Sequence, residues 1–78
     1  MNAELRIARE KTAIDWQKFA SAFEDEMLYH HWSVRMAADC LKITPSTIQR
    51  AVSGYGISLV PFLKICLASG WEPEDFLK

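Results

Sequence analysis

The chain has 78 residues, of which 50% are apolar and 24% charged. That is one small domain, not two, and it excludes the low-hydrophobicity, high-charge composition of a disordered chain. So short a chain has little interior to give to a deep catalytic pocket. The formal net charge is −1, whereas nucleic-acid binders usually carry a basic excess.

Residues 1–11 (MNAELRIAREK) mix charges of both signs with few large apolar side chains. Leu5, Ile7 and Ala8 offer only a weak helical stripe, so this segment reads as an N-terminal arm or a short extra helix ahead of a domain over 12–78. A stronger helix is expected from Thr12, as an N-cap with Asp15 in the first turn. Trp16, Phe19, Ala20, Phe23, Met27 and His30 recur at three- and four-residue spacing, the apolar face of an amphipathic helix. Asp15, Lys18, Glu24, Asp25 and Glu26 fall mainly on the other side. Ser33 caps a second helix, Val34 to about Leu41, with Ala37, Ala38 and Leu41 as its buried face and Arg35 placed to pair with Asp39. After Lys42-Ile43-Thr44, Thr44 caps a third helix with Pro45 in its first position. Gly54, able to take positive φ, ends it. Ser58 caps a fourth helix that carries Pro61 in its first turn and stops at Gly70. Pro73-Glu74-Asp75 opens a short last helix through Leu77. No segment alternates with the period of a strand, so an all-α chain of about five helices is expected.

Two cysteines, Cys40 and Cys66, make no disulfide framework. Both sit on apolar helix faces and read as core thiols. With His30 and His31 they lack zinc-ligand spacing, so neither a metal nor another cofactor is expected. No apolar run follows Met1-Asn2-Ala3-Glu4-Leu5-Arg6, so no signal peptide is expected. The apolar stretch from Ile57 to Trp71 is broken by Ser58, Pro61, Lys64, Ser69 and Gly70, too short and interrupted to span a bilayer. The expectation is a soluble, cytoplasmic protein. No nucleophile–histidine pair, phosphate loop or carboxylate pair suggests an enzyme.

The segment Ser33 to Gly54, SVRMAADCLKITPSTIQRAVSG, carries the functional signal. Two short helices joined by a tight turn need small residues where they cross, and Ala37 and Ala38 supply them. Ile43 closes the turn from beneath, while Ile48 and Val52 anchor the second helix. Ser46, Thr47, Gln49 and Arg50 are then left for another partner. Arg50 can fork onto guanine O6 and N7, and Gln49 can bracket adenine N6 and N7. Thr44 stands at a helix N-terminus, where hydroxyl and backbone N–H groups suit a phosphate. No acidic residue occurs between Leu41 and Glu72.

Together with SLVPFLKICLASGWEPEDFL, this segment resembles the Cro/CI-type (XRE, lambda-repressor-like) helix-turn-helix family of phage and bacterial repressors, over roughly residues 15–77. AADCLKITPSTIQR and EPEDFL carry the resemblance most specifically. It implies a compact five-helix domain with the helix-turn-helix as helices two and three. In that family the third helix enters the DNA major groove, and dimers bind a palindromic operator. Base-reading positions fall on Pro45, Ser46, Gln49 and Arg50, and phosphate-contacting positions on Val34, Thr44, Thr47, Ser53 and Tyr55. Val34 stands where the family often has glutamine, Ser69 where it commonly has leucine, and Pro45 has no side-chain donor for a base.

Helix four has apolar residues to spare. Leu59, Phe62, Ile65 and Cys66 suffice for its core face, and Val60, Leu63, Leu67 and Trp71 form a second stripe that Phe76 extends. A helix apolar on two sides is central or has a second partner. The stripe is expected to be a homodimer interface; the alternative is that helix five or the N-terminal arm covers it. The expected function is a sequence-specific DNA-binding transcriptional regulator, a repressor acting as a homodimer on double-stranded DNA. The alternative is a protein-binding adaptor, or the antitoxin of a toxin–antitoxin pair, that keeps the fold. The charge objection weakens when counted by segment: residues 15–32 carry −3, while residues 33–56 carry +2, from Arg35, Lys42 and Arg50 against Asp39.

Overall fold

Short polar side chains mark where the helices begin. In the computed structural model, which describes residues 13–78, four α-helices follow in order: α1 (Trp16–His30), α2 (Val34–Leu41), α3 (Pro45–Val52) and α4 (Leu59–Ser69). Asp15 accepts the Lys18 N–H at 3.1 Å, Ser33 the Met36 N–H at 3.2 Å and Thr44 the Thr47 N–H at 3.4 Å, each satisfying a donor the helix cannot. Ser58 holds the corresponding extended position before α4, but its hydroxyl makes no capping bond. Left-handed residues end three of the helices: His31 (φ 58), Lys42 (φ 59) and Gly70 (φ 72). After Gly70, the Trp71 N–H reaches back to the Cys66 carbonyl at 2.8 Å and turns the chain under α4.

Two boundaries differ from expectation. The cap of α1 is Asp15 itself, because its carboxylate is the oxygen that meets the Lys18 N–H; Thr12 and the arm at 1–11 lie outside the described residues. The expected fifth helix is one 3₁₀ turn, Pro73–Phe76. Leu77 is extended and pairs with Ile14 in an isolated antiparallel bridge. The Asp15 N–H donates to the Phe76 carbonyl at 2.6 Å, and the Lys78 N–H to the Ala13 carbonyl at 2.9 Å. The C-terminus is thereby tied to the start of α1. All-α describes the chain, with no named strand among the described residues.

Phe19 is the hub of the core. Its ring meets Phe62, Phe76, Trp16 and Trp71 edge-on, at centroid distances of 4.9, 5.3, 5.8 and 6.3 Å. Phe23, Ile48, Ile65 and Cys66 fill the space around it. Ala37, Ala38 and Leu41 bury the inner face of α2, and Ile43 lies beneath the turn. Ala51, which the spacing argument passes over, is buried too.

Several core assignments change. Leu59 is 64% exposed, because the aromatic cluster takes Phe62, Ile65 and Cys66 and so rotates Leu59 to the outside. Phe76 is only 4% exposed, inserted between Phe19 and Phe62, and cannot extend a surface stripe. Cys40 is exposed and only Cys66 is a core thiol, since Cys40 lies outside the arc set by Ala37, Ala38 and Leu41. His30 is exposed, stacked on Trp32 at 4.5 Å, with Nε2 2.9 Å from Glu26 Oε1. Arg35 and Asp39 form no ion pair among the described residues. No helix among those residues is long and apolar enough to cross a membrane.

Candidate nucleic-acid interface

The eight residues of α3 divide by face. Ile48 and Ala51 are buried and Val52 is half-buried, so the helix is pinned along one side. Pro45, Ser46, Gln49 and Arg50 are exposed on the other, and Thr47 is half-buried between. The Lys42–Thr44 turn joins α2 to α3, and the two helices pack against each other.

Three hydroxyls gather at the start of α3. Thr44 Oγ1 lies 2.9 Å from Thr47 Oγ1 and 3.4 Å from Ser46 Oγ, while also accepting the Thr47 N–H. A hydroxyl both donates and accepts, so this knot keeps donor capacity for an incoming oxygen. Ser53 follows α3 and is exposed, its N–H shared between the Gln49 and Arg50 carbonyls at 3.2 Å each. Tyr55 is exposed, with its N–H on the Arg50 carbonyl at 3.1 Å. Val34 is half-buried against the core, so only its backbone N–H, at the start of α2, can face a partner.

Arg50 departs most from its expected role. Its Nε and Nη2 donate to the Gly56 carbonyl at 3.3 and 3.1 Å, and its guanidinium carbon lies 5.8 Å from the Tyr55 ring centroid. The fork is turned along the α3–α4 loop, leaving the rest of the guanidinium free. That loop is itself seated on α1. A Cβ at Gly56 would lie 3.1 Å from Trp16 Nε1, and Gly54 (φ 81) lies against the Gln17 amide. Thr47, Arg50, Gly56, Ile57 and Ser58 line an open depression of about 390 Å³ beside the start of α4. Ser58, whose hydroxyl makes no capping bond, is one of these lining residues. Nothing in the spacing of the sequence marks Gly56 as a partner for Arg50.

The expected dimer stripe is reduced. Val60 and Leu67 are 62% and 80% exposed, Leu63 and Trp71 are half-buried against the core, and Phe76 is buried. Trp71 is drawn in by Phe19 and by Phe76, whose ring centroid is 5.5 Å away. Comparison with protein-family models finds no match for this chain, and comparisons with curated proteins and with solved structures find none.

Proposed function

We propose that the chain is a sequence-specific DNA-binding transcriptional regulator, a repressor of the helix-turn-helix type, in which α2, the Lys42–Thr44 turn and α3 form the motif. The observation that carries this reading is the division of α3: Ile48 and Ala51 are buried while Pro45, Ser46, Gln49 and Arg50 face outward. An α-helix fits the B-DNA major groove, where base edges display distinct donor and acceptor patterns. Gln49 reads an adenine through its amide, Ser46 contacts a neighbouring base, and Pro45 offers only apolar contact. The Thr44–Thr47 hydroxyls, Ser53, Tyr55 and the Val34 N–H hold phosphates and set the register. Arg50, engaged with Gly56, presents its remaining N–H groups to a phosphate. A homodimer joined through Val60 and Leu67 places two α3 helices on a palindromic site.

Selection from a randomised duplex pool, followed by fluorescence anisotropy on the enriched sequence, tests the proposal. The expected result is one enriched, palindromic sequence. Gln49→Ala then costs about 1–3 kcal/mol and relaxes preference at one position of each half-site. A chain that enriches no sequence even at low salt is not a DNA reader.

A further inference from the structure

An apolar groove opens between α4 and the 3₁₀ turn, away from α3. Ile14, Leu59, Phe62, Leu63, Pro73 and Leu77 line it, with Glu72 and Glu74 as the charged lining residues among the described residues, and its volume is about 400 Å³. Leu59 and Leu77 are 64% and 41% exposed. Apolar walls under a carboxylate rim suit a segment that carries apolar and cationic side chains together.

We propose that this groove is the docking site of the chain's own residues 1–12. The first reason is where that segment joins the fold. Ala13 accepts the Lys78 N–H, the Asp15 N–H is held by the Phe76 carbonyl, and Ile14 between them lines the groove. A segment arriving at Ala13 arrives at the groove. Tethering of this kind gives an effective concentration in the millimolar range or above, which a free partner must match. The second reason is chemical. Residues 1–12 combine Leu5, Ile7 and Ala8 with Arg6, Arg9 and Lys11, a net +1 against Glu4 and Glu10, which complements a groove whose two charged lining residues among the described residues are both acidic. The third is reach. Ile7 stands seven residues before Ile14, about 10 Å along a helix or about 23 Å along a strand. Either spans the roughly 10 Å width of one helix. Docking there covers Leu59 and Leu63 and leaves Val60 and Leu67, further round α4, for a second copy.

The test uses the full chain and four relatives: Leu5→Asp/Ile7→Asp, Glu72→Lys/Glu74→Lys, Arg6→Glu/Arg9→Glu, and the last two pairs combined. The readouts are anilinonaphthalene sulfonate fluorescence, circular dichroism and mass by light scattering over a range of concentrations. The first three variants are expected to raise dye binding severalfold with unchanged helicity and mass. The combined charge swap restores the wild-type signal. In the unmodified chain, isotope-edited nuclear Overhauser effects are expected between the Ile7 methyls and those of Leu59 or Leu63, independent of concentration. Absence of those effects, or dye binding unaffected by Leu5→Asp/Ile7→Asp, overturns the proposal. A dimer that falls to monomer in the variants assigns the groove to a second copy and overturns it equally. No result here depends on DNA binding, because among the described residues the groove shares no lining residue with the depression beside Arg50.

Discussion

At the scale of single residues, Arg50 is where chemistry and geometry pull apart. Its type suits guanine, but its fork lies on the Gly56 carbonyl. Arg50→Ala is therefore expected to lower stability by about 1 kcal/mol, a fall in thermal midpoint of about 4–8 °C for a domain of this size. It should weaken binding evenly across single-base variants of the operator, because the loop it braces carries Tyr55 and leads to Ser58. Arg50→Lys keeps the charge without the fork and should recover little of the stability. Thermal denaturation and anisotropy on a panel of operator variants read both effects, and a loss confined to one base pair makes Arg50 a base reader. The cysteines give a second residue-scale prediction. Burial pushes the Cys66 thiol above its ordinary pKa, while Cys40 is exposed. Native protein should be alkylated at Cys40 alone, with Cys66 reacting only on unfolding, as mass spectrometry would show. The unfolded chain gives up the Cys66 proton at the ordinary thiol pKa, whereas the folded chain keeps it. This contribution to stability is thus complete below that value and is lost as pH rises through the raised one. Denaturation between about pH 8 and pH 10 should show a steeper loss for the wild type than for Cys66→Ala.

At the scale of elements, the caps separate what the sequence announces from what it conceals. Ser33, Thr44, Gly54 and Gly70 end or begin helices where the sequence places them, because capping acts over three or four residues. Thr44→Ala should cost about 1 kcal/mol, and Ser58→Ala less, since Ser58 makes no capping bond. Urea denaturation of the two variants checks the order. The start of α1 was not legible: Thr12 and Asp15 both have cap chemistry, and a hydrogen bond from Asp15 to Phe76, at the far end of the chain, fixes the second. The faces of α4 were not legible either. A helix with apolar residues nearly all round has no periodicity to show that Phe62 is core and Leu59 is not, and it is the edge-on packing of Phe62 on Phe19 that decides. Phe76 sits in a single 3₁₀ turn, too short for a repeating pattern to reveal its burial. On α3, by contrast, the outward placement of Ser46 and Gln49 follows from the spacing of Ile48 and Val52. The direction of Arg50 does not, because its partner is a backbone carbonyl, which every residue has.

At the scale of the whole molecule, charge constrains the proposed DNA binding. Net charge is −1; the larger positive excess, +2, lies in residues 33–56, and residues 1–14 carry +1. Within that stretch Arg50 is engaged with Gly56, so Arg35 and Lys42 are the cations whose side chains have no hydrogen-bond partner among the described residues. Lys64 adds little, since its ammonium donates to the Lys42 carbonyl at 3.0 Å. Each phosphate neutralised contributes about −0.9 to the slope of log K against log salt. A dimer using Arg35, Lys42 and Arg50 from both copies therefore has an expected slope of about −5, and about −4 if Arg50 contacts no phosphate. Anisotropy titrations over a range of salt concentrations distinguish these values, and Arg50→Ala should leave the slope unchanged in the second case. On the proposed reading, so little electrostatic attraction makes binding by a single protomer too weak and requires the dimer. Val60→Glu/Leu67→Glu, which places charges on the exposed stripe of α4, should halve the slope and abolish specific binding at physiological salt while leaving the thermal midpoint nearly unchanged. A variant that stays dimeric by light scattering and keeps full affinity moves the dimer contact off α4.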